Sequence, residues 1–236
     1  MINQEKQRLK SIKFSSLKGF NSKLIEFRYK TIAQFFKGKR CLELGCADGK
    51  GTEYLLPYFE EIVALDGSEK LINVLKKRIK SKKLKAYVSL FEEFEPKYKF
   101  DTIILGHILE HVLDPILILK LSKKWLKKRG VILITVPNAN SLHRQAGVLM
   151  GLLKKVTDLN ESDIEIGHRR VYTIKTLMRD IKKAGLKIKK WGGIFLKPLS
   201  NKQIEESWSD DLINAYYELG KKYPEIAAEL YVVCSK

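Results

Sequence analysis

The stretch Cys41-Leu42-Glu43-Leu44-Gly45-Cys46-Ala47-Asp48-Gly49-Lys50-Gly51-Thr52 contains a short apolar run that leads directly into a glycine-rich turn. Twenty-one residues after Gly45, Asp66 ends the next apolar run, 62–66. An apolar strand, a glycine turn, a helix and a second strand that ends in an acid are typical of a nucleoside-binding α/β half-domain. This stretch therefore predicts a cofactor-dependent enzyme.

The rest of the chain alternates strand-like apolar runs with helical segments. The predicted strands are 41–44, 62–66, 86–89, 101–106, 131–136, 186–191 and 229–234. The predicted helices are 20–36, 51–59, 69–79, 114–126, 142–155 and 173–184, with a polar loop at 156–170 and an irregular segment at 192–224 that becomes helical around 212–219. Continuous apolar runs are typical of strands buried on both faces. We therefore predict an α/β fold with a Rossmann-like, mostly parallel sheet, right-handed crossovers and helices on both faces.

Length and composition indicate one domain in a reducing compartment. A chain of 236 residues with 44% hydrophobic residues can bury one good core. The longest uncharged apolar run is about 131–136, which is far too short to span a bilayer, and no apolar signal segment follows the N-terminus. We therefore expect no membrane association and a cytoplasmic location. Cys41, Cys46 and Cys234 form an odd set that suits buried thiols better than disulfides or a metal site.

The net charge of +18 raises the question of a nucleic-acid partner. The basic residues comprise 36 lysines and only 9 arginines, and the lysines are spread along the chain. Surfaces that read nucleic acid depend more on arginine. We interpret the charge as a lysine-rich solvated surface, and a nucleic-acid partner is not expected.

Four pieces of the chain, in order, resemble the class I S-adenosylmethionine-dependent methyltransferases. The pieces are 43–49, 65–68, 100–111 and 126–130, and the resemblance covers roughly residues 35–235. It implies a seven-stranded sheet with an antiparallel last strand. It also implies S-adenosyl-L-methionine as the cofactor and S-adenosyl-L-homocysteine as the product.

Three further segments narrow the resemblance to a subgroup. The piece Gly106-His107-Ile108-Leu109-Glu110-His111-Val112-Leu113-Asp114-Pro115 is similar to the small-molecule subgroup that includes quinone O-methyltransferases. The segments 167–172 and 193–201 resemble methyltransferases that tailor bacterial surface polysaccharides. Two features depart from the wider family. Ala47 replaces the middle glycine of its glycine motif, and the chain has no Asn-Pro-Pro-Tyr type segment, which disfavours a base-methylating enzyme.

The resemblance implies a cofactor site at the ends of the first four strands. Glycines in the first turn let the backbone approach a ligand closely, and a carboxylate at the second strand tip accepts hydrogen bonds from both ribose hydroxyls. The alternatives are a structural turn, a helix-capping role for Asp66 and core packing for Phe91. The predicted cofactor-binding residues are Glu43, Gly45, Cys46, Ala47, Gly49, Asp66, Gly67, Ser68, Phe91, Glu92, Gly106 and His107.

Histidines are the candidate catalytic groups, because they titrate near neutral pH. His107 follows the fourth strand, beside the expected position of the reactive methyl, so it is a candidate base or acceptor-orienting residue; a structural role is the alternative. His111 and His168 are the other catalytic candidates. The spacing of His107 and His111 suits a metal, but no third ligand follows in register, so no metal is predicted.

A basic and aromatic set after the fifth strand is the candidate acceptor site. The residues are Arg144, Arg169, Arg170, Tyr172 and Lys197, and arginine suits a bidentate grip on phosphate or carboxylate. The alternative is that Arg169 and Arg170 form a surface turn that pairs with acidic residues of 161–165.

These observations predict one methyltransferase domain over 1–236, with an N-terminal helical segment at 1–37 and an acceptor-side lid insertion at 138–172. The predicted reaction is O-methylation of a small anionic metabolite, such as a sugar nucleotide or phosphoryl-bearing precursor of capsule or surface polysaccharide, by a monomer or homodimer. One alternative is an RNA or protein methyltransferase that uses the basic surface. Another is a non-catalytic binding module that keeps the fold.

Overall fold

The computed structural model describes residues 19–236, so the beginning of the predicted segment 1–37 lies outside the described residues. The strands are β1 (Arg40–Leu44), β2 (Glu61–Asp66), β3 (Leu84–Val88), β4 (Phe100–Gly106), β5 (Leu126–Pro137), β6 (Lys187–Ile194) and β7 (Glu229–Ser235). The helices are α1 (Phe20–Ala33), α2 (Lys50–Glu53), α3 (Glu69–Arg78), α4 (Pro115–Trp125), α5 (Leu142–Leu149), α6 (Glu161–Glu165), α7 (Ile174–Lys183), α8 (Asn201–Ser207) and α9 (Asp210–Lys222).

All seven strands form one sheet in the order β3-β2-β1-β4-β5-β7-β6. Strands β1 to β5 are parallel, and β7 runs antiparallel between β5 and β6. This topology confirms the predicted Rossmann-like sheet with an antiparallel last strand. Because β7 is antiparallel, its first residue lies at the same edge as the carboxyl ends of β4 and β5.

Alternate residues of the central strands point into two separate cores. Leu42 and Leu44 pack in one core with residues of α4 and α7. Cys41 packs on the opposite face with residues of α1 and α9. Successive side chains of a strand point to opposite faces, so the continuous apolar run of β1 serves both cores.

Helix α1 is held on the sheet by aromatic stacking. The ring of Phe27 lies 4.2 Å from that of Tyr217 on α9, at an interplanar angle of 8°. The ring of Phe195, which follows β6, also stacks with Phe27, at a centroid distance of 5.9 Å. These contacts fix the next two residues of α1, Arg28 and Tyr29, against the carboxyl edge of the sheet.

Several predicted element boundaries were wrong. The helix predicted at 51–59, with an interruption near Pro57, is only α2, and turns follow it as far as Tyr58. Pro57 lacks the N–H that a longer helix would need. The helix predicted at 142–155 ends at Leu149, ahead of Gly151, which has a φ of 74°. The segment predicted as a polar loop contains α6. The segment 192–224 contains α8, which was not predicted, and α9, which confirms the helix predicted around 212–219.

The prediction that every strand is buried on both faces was wrong at the two sheet edges. In β3, Tyr87 and Val88 are exposed, and in β6 the first residues are largely exposed. An edge strand has one neighbour, and less of the helical layers covers it. No helix among residues 19–236 is long and apolar enough to cross a bilayer.

Candidate functional site

The glycine turn after β1 has the backbone geometry of a tight ligand cradle. Gly45, Ala47 and Gly49 have positive φ values of 71°, 49° and 89°. A Cβ at Gly45 would collide with the side chain of Ile108, so glycine is required there. Ala47 adopts the left-handed conformation despite its Cβ, which is unfavourable for residues other than glycine.

Asp66 ties the turn to the end of β2. Its Oδ2 accepts a hydrogen bond from the Ala47 N–H (3.0 Å), and its Oδ1 accepts one from the Ser68 N–H (2.9 Å). Burial raises the pKa of Asp66, against the effect of these two N–H donors. A carboxylate has about four acceptor positions, so two are left for a ligand's hydroxyl groups. Ser68, and not Asp66, caps α3.

Each carboxyl oxygen of Glu43 accepts a hydrogen bond from a protein hydroxyl. The hydroxyl of Tyr29 on α1 and the Oγ1 of Thr52 on α2, at 2.6 Å for the latter, both donate to it. Burial raises the pKa of Glu43, and these hydrogen bonds oppose the rise. Glu43 therefore orients the glycine turn and joins it to α1.

Gly106 ends β4 at a position where a small side chain would fit without collision. A Cβ placed there would meet nothing nearer than the Tyr29 hydroxyl, at 3.8 Å, and Thr135 Oγ1, at 3.9 Å. The buried Oγ1 of Thr135 has no hydrogen-bond partner among the described residues. This room, the left-handed glycine turn and the spare acceptor positions of Asp66 fit a bound nucleoside cofactor.

The other residues predicted to bind the cofactor lie around this turn. Cys46 is buried and its N–H donates to the Leu65 carbonyl (3.1 Å), while burial raises the pKa of its thiol. Phe91 and Glu92 begin a short 3-10 helix after β3. The Phe91 ring lies 3.9 Å from the position of a Gly45 Cβ, and Glu92 is exposed. Their contact with adenine stays a prediction, as does that of Gly67.

His107 occupies a strained position directly after β4. Its φ is 57°, a conformation that side chains other than glycine rarely adopt, and its N–H donates to the Thr135 carbonyl (2.9 Å). Its ring lies between two carboxyl groups. Nδ1 is 3.5 Å from Glu110 Oε1, and Nε2 is 3.2 Å from Glu229 Oε2. Burial and the nearby Arg28 charge lower the pKa of His107 to about 4, so its imidazole is neutral at pH 7.

Glu110 is buried and its carboxyl oxygens have no hydrogen-bond partner among residues 19–236. Burial raises the pKa of Glu110 to about 8. Buried polar groups without partners are rare in folded proteins, and they are common where a ligand or an ion completes a site. Glu110 is therefore a candidate for contact with a ligand, and the sequence reasoning did not select it.

Glu110 also brings His111 and His168 together. One ligand atom from each of the three residues lies within 4.8 Å of the others, and the two imidazole rings meet edge to face at 4.7 Å. The sequence indicated no third ligand, whereas the fold supplies a carboxylate and a histidine from the predicted lid. The absence of a bound metal stays a prediction, and methyl transfer after chelation tests it.

Arg144, predicted to bind the acceptor, is buried within the segment 138–172. Its guanidinium donates to Asp163 (2.9 Å) and to the carbonyls of Val156 (2.8 Å) and Asp158. Asp163 also contacts His168 Nδ1 (2.9 Å). Burial would raise the pKa of Asp163, but His168, the Asn160 N–H and Arg144 lower it to about 2. In this conformation Arg144 therefore organises the segment from within.

Arg169 and Arg170 bind the loop between β4 and α4. Arg169 donates through its N–H to the Glu110 carbonyl (2.8 Å) and through Nε to the His111 carbonyl (3.0 Å). Arg170 donates to the carbonyls of Leu109 (2.7 Å) and Val112 (2.6 Å). The two arginines thus hold the loop that carries Glu110 and His111.

Tyr172 lies in the core beneath this segment, and its hydroxyl donates to Asp180 (3.3 Å). Lys197 follows β6, and burial lowers the pKa of its ammonium to about 8. The Lys197 carbonyl accepts from the His143 N–H (3.1 Å), so the segment after β5 reaches the end of β6 here. The negative charge of Glu229 opposes this decrease in the pKa of Lys197.

Comparison with known proteins identifies the family. Residues 17–190 match the profile of a family described as a methyltransferase domain. The chain therefore belongs to this family.

Two curated relatives of the chain carry the same name. The ubiquinone biosynthesis O-methyltransferase of Pelagibacter ubique (strain HTCC1062) is 34% identical over 137 residues, which are 53% of this chain and 57% of the relative. The enzyme of the same name from Bradyrhizobium diazoefficiens is 28% identical over 105 residues, covering 44% of this chain and 42% of the relative. The chain thus spans about half the length of the curated relatives it matches.

Solved structures share the fold at low sequence identity. An S-adenosylmethionine-dependent methyltransferase from Mesorhizobium loti superposes with a TM-score of 0.65 and 14% identity, covering 89% of this chain and 98% of that one. The N-methyltransferase NodS from Bradyrhizobium japonicum WM9, in complex with S-adenosyl-l-homocysteine, has a TM-score of 0.55 and 14% identity over 90% and 83% of the two chains. Family and fold place the chain among the class I S-adenosylmethionine-dependent methyltransferases, and the predicted cofactor is confirmed at this level.

Sequence reasoning missed the residues that surround His107 from distant parts of the chain. Arg28 lies on α1 and Glu229 at the start of β7, and both were predicted only as parts of a helix and a strand. A charged residue that begins an otherwise apolar strand was the available signal for Glu229. Nothing in the sequence indicated that Arg28 would meet it.

Proposed function

We propose that this chain transfers the methyl group of S-adenosylmethionine to a hydroxyl oxygen of a small molecule. The observation that carries the proposal is the neutral imidazole of His107, set beside the carboxyl groups of Glu110 and Glu229 at the carboxyl end of β4. A hydroxyl acceptor must lose its proton as the new O–C bond forms, so it benefits from a general base within reach. Open α/β sheets bind their ligands at this edge.

When bound, the cofactor supplies an electrophilic methyl group on a sulfonium, and the chain's task is to align an acceptor with it and exclude water. The glycine turn and Asp66 hold the nucleoside and amino-acid parts. Gly106 leaves room beside the end of β4. His107 takes the acceptor's proton, and the segment 138–172 covers the acceptor.

The acceptor class that we favour is a phenolic hydroxyl. The curated relatives are named O-methyltransferases of ubiquinone biosynthesis. A quinone is the oxidised form of a dihydroxy aromatic ring, which carries phenolic hydroxyl groups. These relatives give no support to a capsule or surface-polysaccharide precursor. The sequence predicted that arginines would bind a phosphoryl group. The guanidinium groups of Arg144 and Arg170 instead donate hydrogen bonds to other groups of the protein. An anionic group on the acceptor, such as an aromatic carboxylate, would meet Lys197.

The experiment has two stages. Calorimetry with S-adenosylmethionine and S-adenosylhomocysteine tests the cofactor site, and absence of binding would overturn the proposal. Release of S-adenosylhomocysteine is then measured with catechol, 3,4-dihydroxybenzoate and a sugar nucleotide, with mass spectrometry of the product. We expect methylation of the dihydroxy aromatics, and turnover of the sugar nucleotide alone would restore the prediction made from sequence.

The net charge of +18 favours one second candidate, an RNA or protein methyltransferase. This candidate predicts that acceptor binding weakens steeply with salt, because lysines displace counterions from a polyanion. A small phenolic acceptor predicts a shallow dependence. Turnover of both acceptor types at 50 and 200 mM salt separates the two candidates.

A further inference from the structure

Glu229 lies at the carboxyl edge of the sheet because β7 is antiparallel. It pairs with Pro137 at the end of β5 and with Ile194 at the end of β6. Only 4% of its surface is exposed, so its carboxylate must be compensated by partners inside the protein.

Arg28 supplies that compensation. Its Nε and Nη2 donate to the two oxygens of Glu229, at 2.9 and 2.7 Å. Burial alone would raise the pKa of Glu229, but Arg28 and His107 outweigh it and hold that pKa well below its usual range. Glu229 is therefore a carboxylate, and a carboxylate only accepts hydrogen bonds.

The carboxylate decides which nitrogen of His107 carries the proton. Glu229 Oε2 lies 3.2 Å from Nε2, a close contact whose geometry is not that of a hydrogen bond, so the carboxylate acts on the ring through its charge. A neutral imidazole with Nε2–H facing Glu229 presents the lone pair of Nδ1 toward Glu110, 3.5 Å away. The opposite tautomer would set a lone pair against a carboxylate. The left-handed φ of His107 shows that its surroundings, and not its own backbone preference, fix the ring.

We propose that Glu229, held by Arg28, is the positioning residue that keeps the proton of His107 on Nε2 and leaves Nδ1 free to accept the proton of the acceptor hydroxyl. The inference rests on the proposed O-methyl transfer. In the step, the acceptor O–H bond breaks and its proton moves to Nδ1. The acceptor oxygen forms the new bond to the methyl carbon, and the methyl–sulfur bond breaks with its electron pair left on sulfur. Glu229 then faces the imidazolium and stabilises it.

The competing explanation is purely structural. The Arg28–Glu229 pair joins α1 to β7 across 201 positions of sequence, and breaking it would destabilise the fold whatever His107 does. A structural role predicts a lower stability with the tautomer of His107 unchanged. A positioning role predicts a changed tautomer in a folded protein.

The deciding measurement is the tautomer of His107 by nitrogen NMR on histidine-labelled protein saturated with S-adenosylhomocysteine. The signals of the four histidines are assigned with His107→Gln. We expect the proton on Nε2 in the native protein. In Glu229→Gln we expect the population to shift toward the tautomer with the proton on Nδ1. The glutamine amide can donate a hydrogen bond to an unprotonated Nε2, which a carboxylate cannot do. Glu225→Gln changes an exposed residue of the same type four positions away and should leave the tautomer unchanged.

Turnover of 3,4-dihydroxybenzoate gives the second readout. We expect kcat of Glu229→Gln to fall at least about tenfold, or ~1.4 kcal/mol, with unchanged S-adenosylhomocysteine affinity, and Glu229→Asp to recover part of it. A proton on Nδ1 in the native protein, or an unchanged tautomer in a folded Glu229→Gln protein, would overturn the inference. If Glu229→Gln does not fold, the native tautomer and Glu229→Asp decide. Native protein that binds the cofactor with Nε2–H but methylates no acceptor contradicts the proposed function and leaves the tautomer result standing.

Discussion

The two halves of the site are built in different ways. The cofactor side uses two short stretches, 43–49 and 66–68, which lie on neighbouring parallel strands. The acceptor side gathers Arg28, His107, Glu110, Lys197 and Glu229 from segments far apart in the chain.

The difference shows which interactions define each half. Backbone groups form the cofactor side, where N–H donors of the turn meet Asp66 and left-handed residues set the path of the chain. Buried ionisable side chains form the acceptor side, and their charge states depend on one another. The first half should therefore tolerate changes in packing elsewhere, and the second should not.

The largest expected effect is loss of the aromatic anchor of α1. Phe27→Ala removes a ring that is 1% exposed and stacked on Tyr217. We expect the free energy of unfolding to fall by about 3–5 kcal/mol, measured by urea denaturation, with acceptor turnover lost before cofactor binding. Tyr223→Ala, a ring that is 52% exposed, is the control and should cost under about 0.5 kcal/mol. A loss below about 1 kcal/mol for Phe27→Ala would show that α1 is not anchored by this stack.

Removal of one carboxylate, that of Asp66, should be enough to weaken cofactor binding. Asp66→Ala removes the acceptor of the Ala47 and Ser68 N–H groups and the predicted ribose ligand. We expect S-adenosylmethionine affinity to fall at least tenfold, or ~1.4 kcal/mol, by calorimetry. Asp210→Ala, at an exposed position on α9, should bind normally. Equal affinity in Asp66→Ala and the native protein would place the cofactor elsewhere.

The acceptor half should respond to pH through Lys197. Burial lowers its pKa to about 8, so the ammonium loses its proton as pH rises through that value. The kcat/KM for 3,4-dihydroxybenzoate, divided by that for catechol, should fall between pH 7 and 9 by up to about tenfold, or ~1.4 kcal/mol. The ratio cancels the ionisation of the phenol itself. In Lys197→Met the ratio should already be low at pH 7 and flat across this range. A falling ratio in that variant would assign the dependence to another group.

The smallest effect is expected at Ala47. Glycine avoids the cost of a left-handed φ, about 1 kcal/mol, but it also adds unfolded-state entropy, which offsets roughly 0.4–1 kcal/mol. Ala47→Gly should therefore change stability by less than about 1 kcal/mol and leave cofactor affinity unchanged. Thermal unfolding and calorimetry measure both. A tenfold gain in affinity would mean that the Ala47 methyl group intrudes on the cofactor.

Sequence reasoning succeeded where local pattern and structure coincide. The strand, glycine turn and acid of the first half-domain and the helix α3 were predicted from local pattern, and the antiparallel last strand was implied by the family resemblance. It failed at the sheet edges and after β5, where β3 and β6 are exposed and the segments 142–155 and 192–224 divide into shorter helices. Hydrophobic pattern reports burial averaged over a segment, and it does not report where neighbouring elements end.

The sequence by itself determined the order of strands and helices, the glycine turn and the acid at the tip of β2, because these depend on near neighbours in the chain. Only the tertiary structure decided what surrounds His107. It brought Arg28 and Glu229 together across 201 positions, enclosed Glu110 beside the imidazole and engaged Arg144 within the segment 138–172. The physical reason is that a buried charge is set by every group packed around it, and strand pairing and helix docking bring those groups together from distant positions.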